Sequence, residues 1–215
     1  MEKIYKKVLT KLGVLLYRVN SKIAQQTLPE FANQPKKLRI ELPRRIINPE
    51  RIFIGNNVSL GPGTFISAMT HYPSSSMAPT KKHIKIQQFD SKIVIGNNVT
   101  STSDLQIAAQ STITIEDDVM FASNIHLNNA LHGFETAEEP YRYQPLTRIL
   151  PITIKRGSWI GQNVIILPGV TIGELSIIGA NSLVSGDIPD RCIAFGNPAR
   201  VIKKWDSVLR RWIKV

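Results

Sequence analysis

Cysteine is almost absent from this sequence: the 215 residues include only one, Cys192. A single cysteine cannot form an intramolecular disulfide, which indicates a reducing compartment. The chain also lacks any apolar run approaching the roughly 20 residues of a membrane-spanning helix. Its basic N-terminus lacks the small-residue cleavage site of a signal peptide. We therefore expect a cytoplasmic protein rather than a disulfide-stabilised secreted domain or a membrane-spanning one.

Acidic residues are also scarce, with 16 Asp and Glu against 27 Lys and Arg, so the formal net charge is +11. Such an excess attracts polyanions, anionic lipid headgroups or phosphorylated small molecules, and it does not choose among them. The motifs of nucleic-acid binding are missing as well: there is no zinc-finger spacing, no RNP-like aromatic motif and no basic heptad pattern. We therefore expect no nucleic-acid partner.

Residues 1–35 form the first segment of the chain, and apolar residues recur in it at helical spacing among basic ones. The apolar positions are Ile4, Val8, Leu12, Leu15, Leu16, Val19 and Ile23. This pattern predicts an amphipathic helix. Such a helix either lies on an anionic membrane surface or packs against its own chain or a neighbouring subunit, which is the commoner arrangement. A membrane contact would make the protein peripheral at the inner face of the membrane.

Later in the chain, an aliphatic residue returns every six positions without a slip. The positions are Ile154, Ile160, Ile166, Ile172, Ile178 and Val184. A period of six fits neither a helix nor an alternating strand, but it fits a solenoid in which each hexad forms one side of a triangular coil. The aliphatic residue points inward and stacks on its equivalent in the next coil, and such coils are buried only by their neighbours. The pattern therefore predicts an all-β solenoid.

The same period begins earlier, with Ile54, Leu60 and Ile66, and two unperiodic stretches interrupt it. These stretches, near 67–92 and 128–150, are rich in turn-forming and polar residues and are predicted to be loop insertions. We therefore expect a β-solenoid domain over residues 36–200, followed by a short C-terminal helix over 201–215, where the sequence reads "WDSVLRRWIKV".

The stretch "SWIGQNVIILPGVTIGELSIIGANSLVSGDIPDRCIAFGNPARVIKK" resembles the hexapeptide-repeat acyltransferases, most closely their sugar and polysaccharide O-acetyltransferase branch, which includes galactoside and maltose acetyltransferases. The resemblance implies a left-handed parallel β-helix and a homotrimer. It also implies acetyl-CoA as the acyl-donor cosubstrate, bound between adjacent subunits, with no metal ion. It covers residues 93–204 well and 40–70 more loosely.

The resemblance also assigns roles to individual residues. The family carries a histidine, the general base for the acceptor hydroxyl, in a loop about one coil before the "WIG" hexad, and "HLNNALHGFE" places His132 there. The tryptophan of that hexad, Trp159, is expected to line the substrate site. The family's acetyl-CoA contacts fall on Ala180, Ser185, Gly186, Arg200 and Lys203.

Two departures from the family pattern bear on the substrates. Ser185 and Gly186 stand where the family usually has Thr-Lys, so one cationic contact to the cofactor is missing. Thr102, with Asp104 nearby, stands where the sugar acetyltransferases carry an acceptor-binding asparagine. We therefore expect Thr102 and Asp104 to contact an acceptor other than a simple galactoside or maltose.

Four histidines compete for the role of general base, because an imidazole is available in its neutral form near pH 7. His126 falls inside a hexad, and His83 lies in the basic stretch "KKHIKIQ", so both are expected to be structural or exposed. His71, in "THYP", is a candidate for lining an acceptor pocket. His132 lies in the second insertion and matches the family position, so it is the predicted base.

The sequence therefore predicts an acetyl-CoA-dependent O-acetyltransferase acting on a sugar or glycolipid intermediate of surface polysaccharide biosynthesis. A xenobiotic (antibiotic) O-acetyltransferase is the alternative with the same chemistry. A zinc carbonic anhydrase on the same fold is a third hypothesis, although it requires three converging histidines. A non-catalytic scaffold is the fourth, and it leaves the loop histidine and the "GNPAR" segment without a purpose.

Overall fold

The computed structural model describes residues 2–73 and 86–215. It begins with one long helix, α1 (Glu2–Gln26), and nearly all regular structure after it is strand. Short 3-10 turns occur at Pro49–Arg51 and Tyr141–Tyr143. The amphipathic helix predicted near the N-terminus is therefore present. No helix in the part of the chain that the structure describes has the length and apolarity needed to cross a membrane.

The strands are short, as a six-residue period requires. The coil begins with β1 (Arg39–Ile40), β2 (Arg44–Ile47), β3 (Ile52–Ile54), β4 (Ser59–Leu60) and β5 (Thr64–Ala68). The first insertion contributes β6 (His71–Tyr72) and β7 (Gln87–Gln88). The coil resumes with β8 (Lys92–Ile95), β9 (Thr100–Ala109), β10 (Thr112–Ile115) and β11 (Met120–Asn128).

The second insertion contributes β12 (Leu131–His132) and β13 (Leu146–Thr147). The regular hexads follow as β14 (Ile152–Ile154), β15 (Trp159–Ile160), β16 (Ile165–Ile166), β17 (Thr171–Ile172), β18 (Ile177–Ile178) and β19 (Leu183–Val184). The chain ends with β20 (Cys192–Gly196), β21 (Ala199–Asp206) and β22 (Arg211–Lys214).

These strands stack as three parallel faces, one strand or half-strand per coil. Face A contains β1, β4, β15, β18, β20 and the first halves of β9 and β11. Face B contains β2, β5, β16, β19 and the second halves of β9 and β11. Face C contains β3, β8, β10, β14 and β17. The chain passes from A to B to C in every coil, so face A lies across the coil from the corner that joins faces B and C.

Inward aliphatic residues align in columns, as the period predicts. On face C the column runs in register through Ile54, Ile95, Ile115, Ile154 and Ile172, and each is at most 2% exposed. Burying one such side chain contributes about 1.5–3 kcal/mol. The hydrophobic effect therefore holds the coils together along this column.

Small and amide side chains occupy the corners. The buried hydroxyls of Ser158, Ser176 and Ser182 donate to the backbone carbonyls of Gly173, Pro189 and Gly179, respectively. At the corner between faces A and B, Asn124, Asn163 and Asn181 have positive φ and form a ladder of side-chain hydrogen bonds of 2.9 Å each. Asparagine tolerates this backbone conformation better than most residues, which explains its repetition there.

The prediction of a C-terminal helix over residues 201–215 is wrong. Strands β21 and β22 occupy this segment, and with β20 they form an antiparallel meander. Trp205 and Trp212 face each other across β21 and β22, with ring centroids 5.4 Å apart in a T-shaped contact. The Asp206 carboxylate accepts the backbone N–H groups of Val208 and Leu209, which closes the turn. An aromatic cross-strand pair and an aspartate turn therefore override a weak helical pattern.

Both insertions leave the coil at the corner between faces B and C, separated along the axis by the short turn at residues 110–111. They share a small core of Tyr72, Ala130 and Leu146, with Phe89 and Ile149 packed against it. Asn129, fully buried, anchors the second insertion: its Oδ1 accepts the Gln110 N–H at 2.7 Å, and its Nδ2 donates to the Ser111 hydroxyl at 2.8 Å. The two insertions therefore form one structural unit on this corner.

Candidate functional site

His132 lies on the hairpin that projects from the corner between faces B and C. Strand β12 pairs antiparallel with β13, with His132 opposite Leu146. The His132 side chain is exposed, whereas Leu146 is buried in the core shared by the two insertions. The hairpin thus exposes the imidazole to solvent, while the opposite strand is held in a buried core.

The loop of this hairpin folds back on a buried side chain. Gln144 is 3% exposed, and its Nε2 donates to the carbonyls of Thr136 and Glu139 at 2.8 and 3.1 Å. A buried amide with its donors satisfied stabilises the loop that surrounds it. The segment between His132 and Gln144 therefore has a defined fold, although its sequence shows no period.

Tyr72, from the first insertion, packs directly against His132. The two rings make a T-shaped contact with centroids 5.6 Å apart, and the Tyr72 hydroxyl lies 3.3 Å from His132 Nδ1. The same hydroxyl donates to the Arg142 carbonyl at 2.9 Å. Burial raises the pKa of Tyr72, and the positive charge of Arg142 opposes this shift only in part, so the phenol keeps its proton at neutral pH.

These contacts select one tautomer of His132. A phenol has one proton, and Tyr72 gives that proton to the Arg142 carbonyl. Its oxygen is then an acceptor for the remaining partner, His132 Nδ1, at the long end of hydrogen-bonding distance. A neutral imidazole that is protonated on Nδ1 carries its lone pair on Nε2. The arrangement therefore leaves Nε2 free to accept a proton from a bound molecule.

A second contact holds the two insertions together below this pair. The Gln87 side chain bonds the backbone of Leu146 in both directions: the Leu146 N–H donates to Oε1 at 2.6 Å, and Nε2 donates to the Leu146 carbonyl at 3.0 Å. Since Leu146 stands opposite His132 in the hairpin, Gln87 fixes the strand that supports the imidazole.

Sequence reasoning did not identify Tyr72 or Gln87. The sequence did indicate the neighbouring position, because His71 in the same "THYP" motif was a candidate pocket residue. In the structure His71 is exposed, and its Nδ1 contacts the hydroxyl of its neighbour Thr70 at 3.1 Å. His126 faces solvent on face B, with Nε2 3.1 Å from Asn124 Oδ1. His83 lies outside the described residues.

Trp159 and the predicted acceptor residues lie elsewhere on the coil. Trp159 is 45% exposed on the outer side of face A, in register with Met120 and Ile177. Thr102 and Asp104 are exposed at the corner between faces A and B. The Asp104 carboxylate accepts the Ser103 hydroxyl at 2.7 Å.

The predicted cofactor residues are distributed over the C-terminal coils. Ala180 lies at the corner between faces A and B, and Ser185 and Gly186 are exposed at the corner between faces B and C. Arg200 and Lys203 lie on β21, opposite Phe195 and Ile193, and Arg200 is exposed. Gly186 has no atom within 4 Å of the position that a Cβ would occupy, so a ligand can approach its backbone closely.

Within one chain, seven of these residues fall into two groups, and Arg200 and Lys203 lie apart on β21. His132, Ser185 and Gly186 share the corner between faces B and C, two coils or about 10 Å apart along the axis. Trp159, Thr102, Asp104 and Ala180 lie on face A or at the corner between faces A and B. Since face A lies across the coil from His132, the hydrophobic interior separates Trp159 from the imidazole. The structure of one chain therefore does not bring all the predicted site residues together.

Neither the cleft beside α1 nor any metal-binding cluster of the described residues coincides with these positions. A cleft of about 420 Å³ lies between α1 and β1, and no predicted site residue lines it. Within residues 2–73 and 86–215, no three His, Cys, Asp or Glu side chains are grouped so as to hold a metal ion. The carbonic anhydrase hypothesis therefore gains no support from the part of the chain that is described.

Comparisons with known proteins agree with this fold. Residues 151–186 match the family described as bacterial transferase hexapeptide (six repeats). The chain is 40% identical over 116 residues to galactoside O-acetyltransferase of Escherichia coli K12, covering 54% of this chain and 56% of that protein. It is 33% identical over 128 residues to the putative lipopolysaccharide biosynthesis O-acetyl transferase WbbJ of the same organism, covering 57% of this chain and 65% of that protein. The chain thus spans a little over half the length of the curated relatives it matches.

Solved structures extend the likeness over more of the chain. A single-residue mutant of AntD, an N-acyltransferase from Bacillus cereus solved with dTDP and coenzyme A, superposes with a TM-score of 0.64 at 23% identity and covers 83% of this chain and 87% of that one. AntD with dTDP and 3-hydroxybutyryl-CoA gives a TM-score of 0.56 at the same identity, covering 83% of this chain and 86% of that one. These structures confirm the predicted left-handed parallel β-helix, and the family match together with the curated relatives confirms the resemblance to hexapeptide-repeat acyltransferases.

Proposed function

We propose that this chain, which carries the hexapeptide repeat of bacterial transferases over residues 151–186, is an acetyl-CoA-dependent O-acetyltransferase. The acceptor is a hydroxyl of a sugar or glycolipid intermediate of surface polysaccharide biosynthesis, and the reaction takes place in the cytoplasm. One observation carries the proposal: the exposed His132 lies on a supported hairpin with Nδ1 facing the Tyr72 hydroxyl, and no described residue forms a hydrogen bond with its Nε2. Two curated relatives named as O-acetyltransferases, one of them assigned to lipopolysaccharide biosynthesis, support oxygen as the acceptor atom.

In the proposed reaction, His132 Nε2 removes the proton of the acceptor hydroxyl as the oxygen attacks the thioester carbonyl carbon. The new C–O bond and the negative oxygen form a tetrahedral intermediate. The C–S bond then breaks, and the proton on Nε2 passes to the leaving thiolate. The products are an acetyl ester and CoA with a free thiol, and His132 returns to its neutral form. Tyr72 accepts the Nδ1–H bond throughout, so it holds the ring as charge develops on it.

Arg200 and Lys203 supply positive charge for the phosphates of acetyl-CoA. Charge-assisted hydrogen bonds from such side chains to phosphate oxygens are roughly twice as strong as neutral ones. Ser185, Gly186 and Ala180 offer backbone and small side chains at the corners of the coil, where the rest of the cofactor can lie. These residues fit an extended anionic cofactor.

The site is completed by a second copy of the chain in a homotrimer. On one chain, Trp159, Thr102 and Asp104 are separated from His132 by the coil itself. A neighbouring chain can place its face A and adjoining corner against the His132 corner of the first. Trp159, Thr102 and Asp104 of one subunit then line the acceptor site beside His132 of another. The exposed surface of Trp159 supports this arrangement, because a tryptophan that is 45% exposed has apolar area left to bury.

Acetyl transfer to a panel of nucleotide sugars, oligosaccharides and lipid-linked saccharides, read by mass spectrometry, tests the proposal. We expect one acceptor class to gain an acetyl group only when acetyl-CoA and the protein are both present. The added group should be lost in mild alkali, which cleaves esters and leaves amides intact. An alkali-stable product would contradict O-acetylation. Acetylation of antibiotics in preference to every saccharide would favour the xenobiotic alternative.

A further inference from the structure

Helix α1 carries a row of exposed apolar side chains. It spans 25 residues, and among the side chains described in it only Ala24 is buried and only Ser21 is half-buried. The apolar residues on its surface include Val8, Leu12, Leu15, Leu16, Val19 and Ile23, which are between 45% and 60% exposed. Removing a valine, leucine or isoleucine side chain from water is stabilising. This helix therefore leaves a large stabilising contribution unused within its own chain.

The apolar row faces away from the β-helix. At about 100° per residue, Val8, Leu12, Leu15, Val19 and Ile23 fall within one sector roughly 80° wide. The residues that meet the body of the chain fall on the other side: Tyr17 accepts a hydrogen bond from Arg39 at 2.8 Å, and Ser21 and Ala24 are the least exposed. The centres of these two sectors are roughly 165° apart. The helix thus contacts its own coil with its polar side, and the described residues of the chain leave the apolar side uncovered.

The charges of α1 have one sign and border the apolar row. The helix contains six basic residues, Lys3, Lys6, Lys7, Lys11, Arg18 and Lys22, and one acidic residue, Glu2. Lys7, Lys11, Arg18 and Lys22 lie within a sector roughly 60° wide, directly beside the apolar row. Long basic side chains in this position extend from an apolar face to the headgroup level of a bilayer.

We propose that α1 is a docking surface for a bilayer with anionic headgroups. The apolar row inserts between the headgroups, and the bordering basic residues attract them electrostatically close to the surface. The charge favours this occupant over a second copy of the helix, because another α1 would bring six more basic residues and the whole chain already carries +11. The proposal does not depend on the proposed function, although a membrane-held enzyme would meet a lipid-linked acceptor directly.

Vesicle co-sedimentation of the full-length protein tests this inference. We expect binding to vesicles of phosphatidylglycerol and phosphatidylcholine, weak binding to phosphatidylcholine alone, and a decrease as salt is raised. The L12Q/L15Q variant should bind anionic vesicles at least about tenfold more weakly, since two inserted leucines are lost. The matched control T10Q/V14Q changes two α1 residues outside the apolar row and should stay within about twofold of the wild type.

Three outcomes would overturn the inference. One is equal binding to neutral and anionic vesicles, and another is an equal effect of the two double variants. The third is that L12Q/L15Q leaves vesicle binding unchanged but lowers the molar mass in light scattering, which would show that a second copy covers this face. Circular dichroism of each variant establishes that the helix is retained, and glutamine is a good helix former.

Discussion

At the scale of single residues, the contact of Tyr72 with His132 determines the orientation and the tautomer of the imidazole. A histidine on an exposed hairpin can rotate and exchange tautomers, and neither freedom suits a general base. The T-shaped ring contact restricts rotation, and the hydroxyl selects the proton position. The family pattern identifies the histidine, but it says nothing of the tyrosine, which comes from a separate insertion 60 residues away.

We predict that Tyr72→Phe lowers kcat about 2- to 10-fold. The variant keeps the ring contact and loses both hydrogen bonds of the hydroxyl, of which the one to His132 is worth about 0.5–1.5 kcal/mol. The KM for acetyl-CoA should not change, since the hydroxyl contacts the base and not the cofactor. Steady-state kinetics with varied acetyl-CoA separates the two parameters. Tyr141→Phe, at an exposed position of the second insertion, is the matched control and should keep the wild-type kcat. Equal kcat values for all three proteins would remove Tyr72 from the site.

At the scale of elements, the hexads and the positions of the insertions were predictable, and the packing of the insertions was not. The structure of each hexad can be predicted from its own residues, because Ile154, Ile160 and Ile166 occupy the same inward position in successive sides of the coil. The packing of the insertions depends on contacts between residues far apart in sequence, such as Gln87 with Leu146. The C-terminal meander was not predicted for the same reason: the pairing of Trp205 with Trp212 has no signature within either segment alone.

The Gln87 contact gives a prediction about the second insertion. Gln87→Met removes both bonds to Leu146 and leaves two backbone groups unpaired, at a cost of about 1–3 kcal/mol. We expect amide hydrogen exchange at Leu146 to accelerate by about 10- to 100-fold, with a lower kcat and little change in the melting temperature of the β-helix. Gln88→Met, at the exposed neighbouring position, should change none of these. Unchanged exchange at Leu146 in the Gln87 variant would contradict the assigned support.

Strand β21 gives a prediction about the cofactor. Arg200→Gln and Lys203→Gln should each weaken binding of CoA by about 10- to 100-fold, the value of a charge-assisted hydrogen bond. Binding of 3′-dephospho-CoA should weaken less if these side chains bind the 3′-phosphate. Lys204→Gln is the control, because Lys204 alternates with Lys203 on the opposite side of the strand. Isothermal titration calorimetry gives the affinity of each of the three variants for CoA. An equally large loss of affinity in Lys204→Gln would indicate a nonspecific effect of positive charge.

At the scale of the whole molecule, the triangular coil determines which residues can share a site. Face A and the corner between faces B and C lie on opposite sides of the hydrophobic interior, so Trp159 and His132 of one chain cannot both contact one acceptor. The resemblance implied a trimer from the sequence, and the separation of these residues gives a physical reason for copies of the chain to associate. What the sequence could not provide is the acceptor, because fold does not determine substrate.

We predict a homotrimer in solution, with a molar mass by light scattering of three times the 24.1 kDa of the chain. A substitution that breaks the association should abolish acetyl transfer while each coil stays folded, since the proposed site needs residues from two chains. Met120→Glu, beside Trp159 on the exposed surface of face A and outside the proposed acceptor residues, is suited to this purpose. A monomeric protein that still transfers acetyl would contradict the shared site.

The central claim is that His132 is the general base, and the turnover of His132→Ala tests it most directly. We expect kcat to fall by roughly 10²–10⁴-fold, the usual contribution of a positioned base, with acetyl-CoA affinity and molar mass unchanged because the side chain is exposed and outside the aliphatic columns. His126→Ala, which removes an equally exposed imidazole from face B, should retain nearly full turnover. A His132→Ala protein with most of the wild-type turnover would contradict the account.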